Sequence, residues 1–363
     1  MRSMKVNLDK KSSASYEIRI GFKIIDRMAL IIAKNHKAIH YVLITDDCVG
    51  SLYAKQMMDS FKDVGLNINY FEFPAGESSK NLNTVMDIVG RLLELGADRG
   101  TMLIALGGGV VGDLVGFIAS IYMRGIPYIQ IPTTLIGQVD SSIGGKTAID
   151  LTHGKNLLGT FHQPRAVFAD LALLETLPQK EFNNGLAEII KYGVIDDENM
   201  FRMLERNMDA IKNRDSVLLT KVVESCCRIK KSIVEIDEKE QGLRRLLNFG
   251  HTLGHAIEAV SKYAISHGEG VALGMIAAAR ISEKKKYFDT AQVQRIEEII
   301  LMAGLPVKIP RDFSTDDIIS RLAMDKKKKG DVVHFVLLKK IGMPFVNGGI
   351  ASKLIADVIE EMR

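Results

Sequence analysis

The sequence has little of what marks secreted, membrane-spanning or nucleic-acid-binding proteins. It contains three cysteines, Cys48, Cys226 and Cys227, which are too few for a disulfide framework and suit a reducing compartment. It has no apolar run of the roughly 18 residues that a membrane-spanning helix needs. The first ten residues have no apolar signal core, so we expect a cytoplasmic protein. The net charge of +4 gives no indication of nucleic-acid binding.

What the chain does have is enough apolar sequence for a large core. Hydrophobic residues make up 47% of its 363 residues and charged residues 25%, as in globular proteins. This length predicts two domains. Apolar runs at 41–46, 68–73, 101–106 and 128–131 predict strands, and amphipathic stretches at 51–64 and 82–95 predict the helices between them. This alternation is typical of an α/β domain with a parallel sheet, which we place at residues 1–180.

Beyond residue 180 the apolar residues recur every three or four positions, which predicts helices. The predicted helices cover residues 200–211, 217–234, 253–261, 271–285 and 291–302. A short apolar run at 332–338 indicates one strand. We therefore expect a mostly α-helical second domain at residues 181–363.

The stretch around which the chain is organised is NFGHTLGH at 248–255, followed by SHGEG at 266–270. On a helix, the spacing of four puts His251 and His255 on one face. Together with His267 and the upstream carboxylate of Glu188, these imidazoles have the composition of a catalytic divalent-metal site, most often zinc. The alternative is a packed or capping histidine pair. The flanking glycines, Gly250 and Gly254, favour a site because they remove bulk beside the rings.

A glycine run, GGGVVGD at 107–113, follows a predicted strand and begins a predicted helix. Glycines allow a pyrophosphate to approach the backbone, and the helix start supplies free N–H groups. The run follows a later strand than in the ordinary dinucleotide fold and lacks that fold's acidic residue about 20 positions on. It predicts a nucleotide site of another arrangement, with a plain strand-to-helix turn as the alternative.

Two Gly-Lys pairs follow, in SSIGGKT at 141–147 and HGKN at 153–156. The first resembles a triphosphate loop, but Asp140 stands where that motif requires glycine, which argues against ATP hydrolysis. Backbone amides and a lysine can still bind a single phosphate group. The two pairs together favour a phosphate pocket.

Charged residues of the second half also suggest a site. Glu188 and Lys191 are three residues apart among apolar neighbours. They form either an ion pair within one helix or part of a buried site. Lys230, Arg244 and Asn248 precede the histidine stretch, and an arginine is suited to a two-pronged contact with a carboxylate.

Six blocks together resemble the 3-dehydroquinate synthase family. They are PAGESSK at 74–80, GGGVVGD at 107–113, YMRG at 122–125, PTTLIGQVDSSIGGKT at 132–147, GKNLLGTFHQP at 154–164 and LNFGHTLGH at 247–255. The likeness extends over about residues 41–345 and separates the chain from the iron-dependent alcohol and glycerol dehydrogenases. It implies a Rossmann-like NAD-binding domain followed by a metal- and substrate-binding α-helical domain, in a homodimer.

The resemblance also implies roles for individual residues. The metal ligands, for zinc or cobalt, are Glu188, His251 and His267, and His255 then becomes a substrate-side residue. The NAD contacts are Asp46, Glu77, Lys80, Gly108, Gly109, Val110, Asp113, Thr133, Thr134, Asp140 and Lys155. The substrate contacts are Lys146, Asn156, Lys191, Lys230, Arg244, Asn248 and His255. Arg124 corresponds to an arginine lent across the dimer interface, and from the lysine run at 326–329 we choose Lys326 as the residue that closes on the phosphate.

The activity that the resemblance implies is the second step of the shikimate pathway. Its substrate is 3-deoxy-D-arabino-heptulosonate 7-phosphate, and its products are 3-dehydroquinate and phosphate. The reaction combines transient oxidation by NAD, phosphate elimination, reduction and aldol cyclisation. Three alternatives remain: a sister cyclase using sedoheptulose 7-phosphate or glucose 6-phosphate, a metal-dependent polyol dehydrogenase, and an inactive NAD-binding regulator.

Overall fold

The computed structural model describes residues 1–8, 15–328 and 333–363, and the side chains of 324–328 lie outside the description. The chain divides into two compact units. Unit 1 comprises Met1–Leu177 and Lys230–Glu238, and unit 2 comprises Pro178–Ile229 and Lys239–Arg363. None of the helices that the structure describes has both the length and the apolar character needed to cross a membrane.

Unit 1 is built on a seven-stranded sheet in the order β1-β2-β9-β6-β5-β3-β4. The strands are β1 (Arg2–Val6), β2 (Tyr16–Gly21), β3 (His40–Asp46), β4 (Ile68–Phe73), β5 (Thr101–Gly107), β6 (Tyr128–Pro132) and β9 (Ala166–Asp170). The antiparallel pair is β1 with β2, and β2, β9, β6, β5, β3 and β4 run parallel. The predicted parallel sheet is confirmed. Two further strands, β7 (Lys146–Leu151) and β8 (Gly154–Phe161), form a separate hairpin.

Helices cover both faces of this sheet. They are α1 (Ile25–Asn35), α2 (Asp47–Asp63), α3 (Leu82–Glu94) and α4 (Gly109–Ile121). Alternate residues of β3 point to opposite faces, so Val42 packs with the α3 and α4 side chains while Leu43 packs with those of α1 and α2. The sheet is thus buried on both sides, as its continuous apolar strands indicated.

Unit 2 consists mainly of helices. They are α5 (Gln179–Ile195), α6 (Glu198–Lys212), the first part of α7 (Ser216–Ile236), α8 (His251–Val260), α9 (His267–Lys284), α10 (Thr290–Met302), α11 (Thr315–Lys328) and α12 (Ser352–Glu361). The strands β10 (His334–Lys340) and β11 (Met343–Gly348) form one antiparallel hairpin. The expected strand at 332–338 is therefore present as β10, although residue 332 lies outside the described residues.

Candidate functional site

Three helices of unit 2 bring together one carboxylate and two imidazoles. Glu188 comes from α5, His251 from the first residue of α8 and His267 from the first residue of α9. Glu188 Oε1 lies 3.4 Å from His251 Nε2 and 3.2 Å from His267 Nε2. One oxygen and two nitrogens, all within 4.8 Å of one another, match a catalytic divalent-metal site that keeps positions open for water or substrate. The residues present therefore fit such an ion.

The glycines beside the histidines serve a different purpose from the one that the sequence suggested. What lies close to α8 is the backbone of α9. A Cβ atom on Gly254 would be 2.7 Å from the carbonyl oxygen of Gly270, and one on Gly274 would be 1.8 Å from that of Gly250. The glycines let the two helices touch backbone to backbone, and this contact fixes His251 relative to His267.

The start of α9 is fixed by hydrogen bonds as well. Ser266 and Glu269 form a capping box, in which Glu269 accepts from the Ser266 N–H at 2.7 Å. The Ser266 hydroxyl also donates to Asn184 Oδ1 on α5 at 2.6 Å. Gly268 lies so close to Asn184 that a Cβ would meet its backbone at 2.5 Å. The helix that carries His267 is thereby attached to the helix that carries Glu188.

Glu188 and Lys191 do form the expected ion pair, and the pair is buried. Lys191 Nζ lies 2.5 Å from Glu188 Oε2, with the side chains 1% and 0% exposed. Burial opposes the charge of Glu188, but Lys191 and the two histidines outweigh it and hold its pKa well below the usual range. Glu188 is therefore ionised, as a metal ligand must be.

A second carboxylate, Glu258, lies on the other side of His267. Its Oε1 is 3.2 Å from His267 Nδ1. Burial favours neutral His267, but hydrogen bonds to Glu188 and Glu258 overcome this and raise its pKa to about 10. Sequence reasoning missed Glu258, although its position seven residues after His251 puts it on the same helical face.

His255, four residues after His251, also lies near the cluster. Its ring centroid is 5.3 Å from that of His251 and 5.9 Å from that of His267. Its side chain is exposed, yet desolvation by surrounding atoms and the charge of His251 lower its pKa. His255 lies beside the cluster of Glu188, His251 and His267. With Glu258 and His267 it forms a second set of residues whose possible metal-ligand atoms lie within 4.8 Å of one another.

Arg244 and Asn248 lie on one short 3-10 helix, Leu243–Asn248, that leads into α8. Arg244 is only 2% exposed. Asn248 donates from Nδ2 to Glu240 Oε1 at 2.6 Å. The structure thus places a buried guanidinium and an amide directly before His251 along the chain.

In unit 1 the glycine run connects β5 to α4, as predicted. The N-cap residue is Gly108, which has no side chain to cap the helix. Gly108 packs against Thr134, whose Cγ2 would lie 3.0 Å from an added Cβ. The first N–H groups of α4, which include those of Gly109 and Val110, have no helical partner of their own and carry the positive end of the helix dipole. This loop suits a pyrophosphate.

A charged network surrounds Lys80. Its Nζ donates to Asp113 Oδ2 and to Asn156 Oδ1, each at 2.6 Å. Burial acts against its charge, but Asp113 outweighs it and raises the pKa of Lys80. Nearby, Lys155 lies 3.6 Å from Glu77. Asn156, which is expected to bind substrate, is thus hydrogen-bonded to Lys80, which is expected to bind NAD.

Lys230, which is expected to bind substrate, is likewise hydrogen-bonded to Asp140, which is expected to bind NAD. Its Nζ donates to the side chain of Asp140 at 2.6 Å and to the Asp140 carbonyl at 2.7 Å. Asp140 lies on a single turn of π-helix, Gly137–Ser141, a feature that is frequent at functional sites. Lys230 is 5% exposed.

The other predicted site residues are more dispersed. Asp46 caps α2 by accepting from the N–H of Val49 at 2.8 Å. The Thr133 N–H bonds to the carbonyl of Gly107 at 3.0 Å. Lys146 and Arg124 are exposed, and Arg124 lies in a turn with a left-handed φ of 68°. The side chain of Lys326 lies outside the described residues.

The comparisons with protein families cover most of the chain. Residues 70–184 match the family model described as 3-dehydroquinate synthase N-terminal. Residues 185–328 match the one described as 3-dehydroquinate synthase C-terminal. A 3-dehydroquinate synthase of Desulforamulus reducens is 45% identical over 343 residues, which are 94% of this chain and 95% of the relative.

Solved structures of two other synthases share the fold over the whole length. One is 2-deoxy-scyllo-inosose synthase complexed with carbaglucose-6-phosphate, NAD+ and Co2+, with a TM-score of 0.90, 27% identity and coverage of 100% of both chains. The other is 2-epi-5-epi-valiolone synthase from Streptomyces hygroscopicus subsp. jinggangensis 5008 with NAD+ and Zn2+ bound. It has a TM-score of 0.90, 26% identity and coverage of 98% of this chain and 99% of that one. The predicted two-part α/β fold is confirmed.

Proposed function

The chain belongs to the 3-dehydroquinate synthase family, and from this membership we propose that unit 1 binds NAD and unit 2 binds a divalent metal ion. The reaction converts 3-deoxy-D-arabino-heptulosonate 7-phosphate into 3-dehydroquinate and phosphate. When bound, NAD takes a hydride from the substrate and later returns it, and the metal ion polarises the substrate oxygen. Sedoheptulose 7-phosphate cyclisation and net polyol oxidation are disfavoured, because the relative at 45% identity is a 3-dehydroquinate synthase.

The observation that carries the proposal is the convergence of Glu188, His251 and His267 from three helices. Glu188 is ionised and buried at the centre, and Nε2 of each histidine points at its Oε1. Lys191 compensates part of the carboxylate charge from the opposite oxygen, Oε2. These three residues would hold the zinc or cobalt ion, with positions left for the substrate.

The residues of unit 1 support NAD binding. The uncapped start of α4 at Gly108 and Gly109 would receive the pyrophosphate. Asp46 lies at the carboxyl end of β3, where parallel sheets place ligands, and would contact a ribose. The remaining proposed NAD contacts are Glu77, Lys80, Val110, Asp113, Thr133, Thr134, Asp140 and Lys155.

The cationic and amide residues would bind the anionic ends of the substrate. Burying a charged substrate requires paired cations. Lys146, Asn156 and Lys326 would contact the phosphate; the side chain of Lys326 lies outside the described residues. Arg244, with Lys230, would contact the carboxylate. Lys191, Asn248 and His255 would contact the ring hydroxyl groups or the phosphate.

We also propose that the chain forms a homodimer through unit 1, with Arg124 completing the partner's site. Exposed apolar side chains occur at the end of α4, in the turn that contains Arg124 and on the β7–β8 hairpin. They are Ile121, Met123, Leu151, Leu157, Leu158 and Phe161. Met123 and Arg124 both have left-handed φ angles, of 49° and 68°, and such strain in two consecutive non-glycine residues is typical of functional turns.

The dimer proposal predicts complementation between two defective chains. Mixed dimers of Arg124→Ala and Lys146→Ala chains should contain one intact site and regain activity, because each site takes its arginine from the other chain. Verified mixed dimers that stay inactive would contradict a shared site.

The reaction itself is tested by phosphate release from the heptulosonate substrate, with and without a chelator. We expect release to require both NAD and metal, and NADH to stay far below the phosphate formed. NADH accumulating in equal amount to phosphate would indicate a dehydrogenase and overturn the proposal.

A further inference from the structure

His267 contacts a carboxylate with each of its ring nitrogens. Nε2 faces Glu188 Oε1 and Nδ1 faces Glu258 Oε1, both at 3.2 Å. A neutral imidazole has one N–H, so a ring that binds a metal through Nε2 must carry its proton on Nδ1. In that tautomer the Nδ1–H donates to Glu258.

We propose that Glu258 is a positioning residue of the metal centre, which fixes the ring of His267 and presents its Nε2 to the ion. This role rests on the proposed metal site. It adds Glu258, which contacts the metal ligand His267 through Nδ1, the ring nitrogen that does not bind the ion. Metal-bound histidines commonly donate their second N–H to a carboxylate or carbonyl, and losing that acceptor typically weakens metal binding.

The surroundings of Glu258 support this role. It is 5% exposed, and it lies on the same face of α8 as His251 and His255, at spacings of seven and three. The carboxylate reaches His267 across the bare backbone of Gly270. A Cβ on Gly270 would lie 2.9 Å from Glu258 Cγ and 3.1 Å from its Oε1. The path of the side chain therefore depends on a glycine one turn after His267.

A different role for Glu258 is possible on the same geometry. Ligand atoms of His255, Glu258 and His267 also lie within 4.8 Å of one another, so Glu258 could bind a second ion directly. That arrangement would require His267 to bind metal through both nitrogens, with no ring proton left. The number of ions per chain distinguishes the two roles.

The test measures the zinc dissociation constant by competition with a chromophoric chelator. Glu258→Ala should weaken binding by about 10- to 100-fold. Glu258→Gln keeps an acceptor for the Nδ1–H but loses the charge, so its loss should be smaller. The matched control is Glu297→Gln on α10, which alters a carboxylate that accepts from Arg280 Nε at 2.8 Å, near the end of α9 opposite His267.

A spectroscopic measurement adds a result that simple misfolding would not produce. In the zinc-loaded wild type, 15N NMR should show His267 protonated on Nδ1 alone. In zinc-loaded Glu258→Ala the Nδ1 proton should exchange with solvent faster than in the wild type, because its buried acceptor is gone. Unchanged zinc affinity in both Glu258 variants, an equal loss in Glu297→Gln, or two ions per chain would each overturn the proposal.

His251→Ala separates this inference from the metal site on which it rests. If His251→Ala loses zinc while Glu258→Ala keeps it, the metal site stands and only the positioning role is wrong. If His251→Ala binds zinc as tightly as the wild type, the metal site itself is wrongly assigned.

Discussion

Gly274→Ala should separate α8 from α9 and disrupt the metal site. The added Cβ would lie 1.8 Å from the Gly250 carbonyl oxygen, 2.8 Å from its carbon and 2.9 Å from the backbone nitrogen of Gly254. All three atoms belong to backbone, so no side chain can rotate away. An ordinary contact needs about 3.5 Å, so the helices must part by roughly 1.7 Å.

That displacement is large for a metal centre. His251 directly follows Gly250, and His267 begins the helix that carries Gly274. Metal–ligand distances tolerate changes of only about 0.2 Å. We expect zinc affinity to fall at least as far as for the loss of a positioning residue, about 100-fold or more. Overpacking should also lower the free energy of unfolding by about 1–3 kcal/mol.

Two other glycine-to-alanine changes provide a graded series. In Gly193→Ala on α5, the new Cβ would lie 3.2 Å from the Cα of Phe201, which predicts a small loss of stability. A Cβ added to Gly90 on α3 would meet nothing within 4 Å beyond the backbone of its own helix. Gly90→Ala should therefore stabilise its helix by about 0.5–1 kcal/mol.

The assays are urea unfolding for stability and chelator competition for zinc affinity. The expected order of stability is Gly90→Ala, then Gly193→Ala, then Gly274→Ala, with a large loss of zinc affinity in the last variant alone. Wild-type values of both the free energy of unfolding and the zinc affinity in Gly274→Ala would refute the predicted backbone clash.

Three further predictions concern single residues. Arg244→Ala should lower kcat/KM for the heptulosonate by about 100- to 1,000-fold, because truncating one side of a buried charged contact costs roughly 2–5 kcal/mol; a wild type that prefers sedoheptulose 7-phosphate would contradict this. Burial lowers the pKa of His162 from its usual 6.5, so below about pH 6.5 the unfolded chain binds more protons than the folded protein does. The wild type should therefore lose free energy of unfolding as the pH is lowered below 6.5, and His162→Gln should lose less of it in urea unfolding at the same pH values. Asp170→Ala should destabilise the protein by roughly 3 kcal/mol or more in urea unfolding, since its carboxylate accepts four backbone N–H bonds, from Lys23, Ile24, Ile25 and Ala172; a loss below that of Gly193→Ala would argue against it.

Much of the fold followed from local pattern. The strands at 41–46 and 101–106 are apolar runs that the structure buries on both faces, whereas the edge strand at 68–73 is only partly buried. In α6 and α10 of unit 2, buried apolar residues recur every three or four positions. The strands β1, β2, β7, β8, β9 and β11 were not predicted. For β2 and β9 the reason is that their partners are distant in sequence, as Glu17 is paired with Ala166.

The site was predictable in its chemistry and less so in its geometry. The types and spacing of Glu188, His251 and His267 suggested a metal centre, and the structure brings the three together. The sequence alone suggested His251 and His255 as a ligand pair, since i,i+4 spacing is a local signal. Their roles, like those of the other site residues, remain predictions for the assays above.

The sequence by itself determined four strands of the parallel sheet and the helices that alternate with them, the glycine loop before α4 and the family to which the chain belongs. Only the tertiary structure decided which nitrogen of each histidine faces Glu188, that Glu258 lies behind His267, and that the glycines serve contact between α8 and α9. The physical reason is range. Periodicity and motif spacing act within one helix or loop, whereas a metal site depends on ångström-scale distances between helices whose packing is set by residues far apart in the chain.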